Sequence, residues 1–416
     1  MASKILTGDM VELMENILNN LDNEIYSLHS CALQVSMNQS MKCHIINLLF
    51  KLFVESGAIL HKLGLYFSDY EIKPEIFYSL ERNKQFFSQL HDLSLGGISD
   101  INIKSATTLL EILAKNTTNI SVLNFEGFDS DSEPQLFHAF ISIIKSQEQL
   151  RQFSVAGGNE FPTESHGIIS ALESQKQSLQ EFAMECCTCT EEFKVLKDCK
   201  NLKILRIRYC DDVKILEPSV NTLDIINYLV YPSNLVPILK NSGSLLQRLR
   251  LGADDDLIHE ESILIETIAS FCPNITYLNI VPIEFSAQLV ELIGNLQKLQ
   301  FLTLWCNDYM PPDELEILFT QFAETLPPTL QYLDLMNSTL TPYIHVLLNN
   351  CNAPLKNLLI DRFENKETIK ALIEFCKRKR TLKYVGVNSR YLNDDIRKEV
   401  EGYVSLVPHE RIVVDC

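Results

Sequence analysis

Apolar residues in this chain fall into one short phrase that returns along most of its length: apolar, two residues, apolar, one residue, apolar. The copies are Leu60/Leu63/Leu65, Leu90/Leu93/Leu95, Ile120/Leu123/Phe125, Leu150/Phe153/Val155, Leu179/Phe182/Met184, Leu202/Leu205/Ile207 and Val220/Leu223/Ile225. Leu246/Leu249/Leu251, Ile275/Leu278/Ile280, Leu299/Leu302/Leu304, Leu330/Leu333/Leu335, Leu355/Leu358/Ile360 and Leu382/Val385/Val387 follow. The spacing is mostly 23–31 residues, with one interval of 18 before Leu223. The copies at Leu63 and Leu223 are fainter, and the latter reads as a distorted strand in an irregular unit from Tyr209 to Leu245. Alternation within each phrase predicts a strand whose central pair of apolar side chains points one way. Between phrases the apolar residues switch to helical spacing. Pro311-Pro312-Asp313-Glu314 leads into Leu315/Leu318/Phe319/Phe322, and Glu133-Pro134 into Phe137/Phe140/Ile141/Ile144. Ser262 leads into Leu264/Ile265/Ile268/Ala269, and Asn365 into Ile369/Leu372/Ile373/Cys376. Proline and acidic residues in the first turn are helix-start chemistry.

One strand and one helix per phrase is the leucine-rich-repeat signature. The predicted fold is an α/β solenoid, a horseshoe of about a dozen repeats with parallel strands on the concave face and helices on the convex face. Residues 1–40 read as an N-terminal helical segment, 41–390 as repeats and 391–416 as a C-terminal cap. In that cap Asp394-Asp395 starts a last helix, and Ile412-Val413-Val414 closes the open end.

The same alternation names the side chains of the concave face. Arg206, Arg208, Arg248 and Arg250 come first, followed by Tyr277, Phe301, Trp305, Tyr332, Met336 and Tyr384. The earlier repeats contribute Asp92, Ser94, Asn124, Glu126, Ser154, Glu181 and Glu185. Arginine and aromatic residues concentrate binding energy at protein interfaces. The sequence therefore predicts that the arginine and aromatic set holds a protein partner.

Charge and composition narrow the class. The net charge of −18 opposes binding to nucleic acid or to anionic membrane surfaces. No apolar run approaches the roughly 18 residues of a spanning helix. The N-terminal stretch lacks an apolar signal core, which predicts a cytoplasmic or nuclear protein. The 12 cysteines are scattered, and Cys272, Cys351 and Cys376 each close a predicted helix, where a small apolar side chain fits. The cluster Cys186-Cys187-Thr188-Cys189 with Cys199 lacks the paired spacing of a zinc site. Asp254-Asp255-Asp256 reads as a solvated loop, and Lys377-Arg378-Lys379-Arg380 as the basic end of a helix. No phosphate loop, nucleophile elbow or His-Glu-x-x-His motif is present. The expectation is a non-catalytic protein with no cofactor and no metal.

The N-terminal segment carries a further resemblance. Leu6 and Met10 lead into an amphipathic helix that Asp9 can cap and whose apolar face is Leu13, Met14, Ile17, Leu18 and Leu21, and Leu28-x-x-Cys31-Ala32-Leu33 follows. This pattern resembles the front half of an F-box, and the whole chain resembles the fungal F-box–leucine-rich-repeat proteins. That resemblance implies a substrate-recognition subunit of an SCF-type ubiquitin ligase. Leu6, Met10, Leu13, Met14, Ile17, Leu18 and Leu21 would then meet a Skp-type adaptor, and the concave face would hold the substrate. The chain departs from the family pattern where Gly8-Asp9-Met10 replaces the usual proline and where no Arg-x-Trp follows Leu33. That truncation leaves a second reading, a stand-alone repeat scaffold or inhibitor that no longer binds the adaptor.

Overall fold

The central apolar residue of every phrase lies in a strand, and none is more than 1% exposed. The computed structural model describes residues 59–67, 77–78, 85–98, 100–128, 134–158, 167–254, 258, 260–307, 310–363, 365–391 and 394–414. The F-box-like segment and its adaptor-facing residues lie outside these. The chain divides into two compact units, Met1–Leu202 and Lys203–Cys416.

In the first unit five strands form a parallel sheet in chain order: β1 (Lys62–Tyr66), β2 (Asp92–Gly96), β3 (Val122–Phe128), β4 (Gln152–Gly157) and β5 (Glu181–Glu185). Leu63, Leu93, Leu123, Phe153 and Phe182 stand in one row across it. Helices α1 (Ile103–Asn116) and α2 (Pro134–Ser146) pack their apolar faces on the sheet. Phe125, on β3, meets Phe140, on α2, with ring centroids 4.0 Å apart. In α2 Ile143 is buried and Ile141 only half-buried, a one-step shift of the expected face.

Each helix end must hand its unsatisfied main-chain groups to something. Two buried glutamines do this in the first unit. Gln147 Oε1 accepts from the Ile120 N–H (2.9 Å) while its amide donates to the Ile143 and Thr117 carbonyls (3.0 and 3.3 Å). Gln175 repeats the arrangement one repeat later, with the Leu150 N–H (3.1 Å) and the Gln147 carbonyl (2.7 Å).

In the second unit nine parallel strands follow in chain order: β6 (Ile204–Arg208), β7 (Thr222–Asn227), β8 (Arg248–Ala253), β9 (Tyr277–Glu284), β10 (Phe301–Asn307), β11 (Tyr332–Asp334), β12 (Asn357–Ile360), β13 (Tyr384–Val387) and β14 (Ser405–Pro408). Leu205, Leu223, Leu249, Leu278, Leu302, Leu333, Leu358, Val385 and Leu406 share one row. The fainter phrase at Leu223 is thus a regular strand, paired on both sides, and the expected distortion is corrected. The series expected to end at residue 390 runs one strand further, to β14.

Helices α3 (Pro232–Ser242), α4 (Glu261–Phe271), α5 (Ala287–Asn295), α6 (Pro312–Thr325), α7 (Ile344–Asn350), α8 (Lys366–Lys379) and α9 (Asp394–Val400) alternate with these strands. The side chain of Asn365 caps α8 by accepting from the Thr368 N–H (2.9 Å), and Ser286 caps α5. At the other end of α8, Arg378 donates to the Leu348, Asn349 and Cys351 carbonyls at 2.8, 3.0 and 3.2 Å. The basic run ends its own helix as expected, with Lys377, Arg378 and Lys379 in the last turn of α8, and Arg378 in addition closes the carbonyl end of the neighbouring α7, which was not expected.

Cysteines occupy several helix ends. Cys272 and Cys351 are fully buried, and Cys199 and Cys376 nearly so. Burial pushes the Cys199 thiol up to about 12 and those of Cys272, Cys351 and Cys376 up to about 11. They are neutral, space-filling side chains. Among the described residues no group of three or more His, Cys, Asp or Glu could hold a metal ion. No described helix is long and apolar enough to cross a membrane.

Candidate functional site

The candidate site lies on the open face of the second unit's sheet, the face opposite the helices. There the strand register sets out two rows of side chains. The first runs Thr222, Arg248, Tyr277, Phe301, Tyr332, Asn357, Tyr384. The second runs Arg206, Asp224, Arg250, Asn279, Thr303, Asp334, Leu359, Gly386. All nine residues expected to form the partner-binding face come from this unit.

At the β6–β8 end the second row is an ion cluster. Asp224 is only 2% exposed and is surrounded by three guanidinium groups. Arg206 Nε lies 3.9 Å, Arg208 Nη2 3.8 Å and Arg250 Nε 3.8 Å from its carboxylate. Three positive charges against one leave a net positive patch, and the arginine side chains stay 25–42% exposed. Sequence reasoning found the arginines but missed Asp224. The alternation places it on this face, yet it sits in the phrase whose strand was read as distorted.

Arg248 joins the patch to an aromatic ladder. Its guanidinium lies 4.4 Å from the ring centroid of Tyr277, a cation–π contact. Tyr277 and Phe301 follow at 6.4 Å, then Phe301 and Tyr332 at 5.9 Å. Trp305 and Tyr384 are both exposed, and Phe301 is half-buried.

Tyr277 and Tyr332 depart from the expectation. Both point to the open face, but they are 0% and 1% exposed. The chain's own C-terminal segment covers them. The Tyr277 hydroxyl donates to the Val414 carbonyl (3.2 Å), and the Val414 N–H donates to the Tyr332 hydroxyl (3.4 Å). Each hydroxyl also has a partner beneath. Asn279 Nδ2 donates to Tyr277 (3.4 Å), and Tyr332 donates to Asp334 (3.3 Å). Burial raises the Asp334 carboxyl above its ordinary range, opposed by the Met336 N–H and the Tyr332 hydroxyl that donate to it. Burial together with Asp334 also raises the Tyr332 phenol. The expected end-cap role of Ile412-Val413-Val414 is accordingly corrected to a strap across the face. Its signal was weak in sequence, because three apolar residues at a chain end carry no register.

Farther along, Gly386 makes room for the strap. A Cβ there would stand 3.0 Å from Ile412 Cδ1 and 3.1 Å from the His409 Cα. The Ser389 hydroxyl donates to Glu410 (2.8 Å), fixing the start of the segment.

A cleft of about 290 Å³ opens beyond β7, between Cys210–Val213 and Tyr228–Leu235. Tyr228, Leu229 and Tyr231 stand exposed at its rim, and Tyr209 packs on Tyr228 with centroids 4.8 Å apart. The Tyr209 hydroxyl donates to Asp254 (2.5 Å). The aromatic run Tyr228-Leu-Val-Tyr231 was visible in the sequence, but it lies between phrases and carries no periodicity.

The first unit's open face is different in kind. Lys62 pairs with Asp92 (2.7 Å), Asn124 donates to Ser94 (3.0 Å) and Gln152 donates to Glu181 (3.1 Å). These polar side chains are spent on one another along the rows.

No family model matches the chain, and no curated protein matches it. Among solved structures, the crystal structure of a TLR13–ssRNA13 complex is similar at 12% identity with a TM-score of 0.37. The match covers 84% of this chain and 54% of that one, so this chain spans about half the length of its structural neighbour. The leucine-rich-repeat assignment rests on the strand register described above.

Proposed function

We propose that the chain is a non-catalytic scaffold that holds a partner protein on the open face of its second unit. The observation carrying this reading is the charged cluster. Arg206, Arg208 and Arg250 converge on a single buried carboxylate, Asp224, and Arg248 stacks on Tyr277, in a chain whose net charge is −18. A locally positive patch on an acidic protein steers an acidic partner and orients it. Partly exposed arginines beside aromatic side chains can form directional contacts there.

The finer reading is a substrate-recognition subunit of an SCF-type ubiquitin ligase. It is supported by the F-box-like run from Leu6 to Leu33, which would bind a Skp-type adaptor while the open face holds the substrate. Ubiquitin chemistry would belong to other subunits, inside the cell. The absence of Arg-x-Trp after Leu33 supports the second reading, a stand-alone scaffold. Co-purification of the full-length chain with a Skp-type adaptor, against a chain beginning at Met41, separates the two. A stoichiometric complex lost on truncation supports the ligase reading. Failure of both chains to bind the adaptor sinks it and leaves the scaffold.

A further inference from the structure

Arg208, the last residue of β6, belongs to the positive cluster. Tyr209 follows it and continues the pairing with β7, its N–H donating to the Ile226 carbonyl (2.8 Å). Its backbone is left-handed (φ 53°), a conformation that a bulky side chain rarely takes. The ring is held from two sides. It packs on Tyr228, and its hydroxyl donates to Asp254 (2.5 Å). The chain then runs directly into the wall of the cleft beyond β7, which begins at Cys210.

This cleft is opposite in sign to the cluster beside it. Asp211 and Asp212 line it, and none of its lining residues is basic. Both carboxylates are exposed. Asp212 meets Lys214 at 3.4 Å, with both side chains more than half in water, a surface pair that contributes little and exchanges readily. Asp211 makes no ion pair among the described residues. The first turn of α3 also lines the cleft, at Asn234 and Leu235, and brings about half a positive charge. Against it stand two full negative charges, one shared with Lys214 and the other unshared.

The remaining surface is apolar. Ile225, Val230 and Leu235 are buried at the bottom, while Tyr228 and Tyr231 stand 54% and 45% exposed at the rim. The volume of about 290 Å³ lies at the bottom of the range for small-molecule sites, a size that suits one long side chain. Arginine meets all three conditions. Its methylene stem covers an apolar floor, and its planar guanidinium stacks on an aromatic face and forks onto a carboxylate. Lysine has no such plane, and its compact ammonium holds its water more strongly.

We propose that the cleft receives an arginine side chain of the partner protein. This rests on the reading of the second unit's open face as the partner-binding surface, and it adds that the partner is bipolar. An acidic group meets Arg206, Arg208 and Arg250, and an arginine reaches past the strand ends to Asp211. Opposite charges at neighbouring points fix the direction in which the partner lies and disfavour a segment of single sign.

The probe is Nα-acetylarginine methylamide, titrated into the full-length chain with labelled leucine and valine methyl groups. The NMR signals of Leu229, Val230 and Leu235 should shift and saturate. Nα-acetylcitrulline methylamide, the neutral isostere, should bind at least about tenfold more weakly, and the lysine derivative more weakly than the arginine one. Asp211→Asn should bring arginine down to the citrulline level, and Tyr228→Ser should weaken both. These two side chains are exposed, so the melting curves of the variants should match that of the unaltered chain. No saturable shift would overturn the proposal, as would citrulline or lysine binding as tightly as arginine, or an Asp211→Asn variant that binds arginine normally. Partner adducts absent from the open face, with the arginine derivative still bound, would fault the proposed function and not the cleft.

Discussion

Arg250 and Asp224 face each other on adjacent strands, with Arg250 Nε 3.8 Å from the Asp224 carboxylate. The pair sits where two more arginines converge, so Asp224 neutralises part of a charge cluster that would otherwise repel itself. Asp224→Ala should destabilise the second unit by about 2 kcal/mol, less than a fully buried pair would, because the arginines keep contact with water. The set Asp224→Asn, Arg206→Gln, Arg208→Gln and Arg250→Gln removes attraction and repulsion together and should cost far less. Urea unfolding of the two variants measures the difference, and equal losses would show that the cluster carries no net strain.

Leu302 sits at the centre of its row between Leu278 and Leu333 and is fully buried. Leu302→Ala should cost about 2–5 kcal/mol. Leu302→Asp should unfold the unit, since it buries a charge without a partner. A melting curve like that of the unaltered protein would contradict the register.

The repeat series was legible because each phrase repeats one physical demand, two apolar side chains on one side of a short strand. Even the interval of 18 residues before Leu223 obeys it. β14 escaped notice because Leu406 stands in Val404-Ser-Leu406-Val-Pro408, without the leading leucine of the other phrases. At the site, alternation placed the arginines and aromatics on the correct face. It says nothing about what lies above that face, so the burial of Tyr277 and Tyr332 could not be read. Their cover comes from Val414, 137 and 82 residues away.

Arg378 donates to three carbonyls around the end of α7. Arg378→Ala should therefore lower stability by about 1–2 kcal/mol. Arg378→Lys should not restore it, because one ammonium cannot match a forked guanidinium. Thermal unfolding of both variants is the check, and full rescue by lysine would reduce the contact to simple charge.

Burial raises four thiols, from an ordinary 9.0 to about 12 for Cys199 and about 11 for Cys272, Cys351 and Cys376. The folded state therefore favours the neutral thiol. This contribution is fully present below about pH 9 and is lost as the pH rises toward 11–12. Stability should fall across that window, and the four cysteines should resist alkylation at pH 8 until the protein unfolds. Rapid modification of any of them in the native state would contradict their placement.

Whether the open face of the second unit holds the partner is tested most directly by photo-crosslinking in cells. A benzoylphenylalanine replaces Trp305 or Arg208 on that face, or Ile317 on the outer surface of α6, which is 62% exposed. The account predicts a shared discrete protein adduct from positions 208 and 305 and none from position 317. Adducts from position 317 alone, with neither face position labelled, would place partner binding on the helices and contradict it.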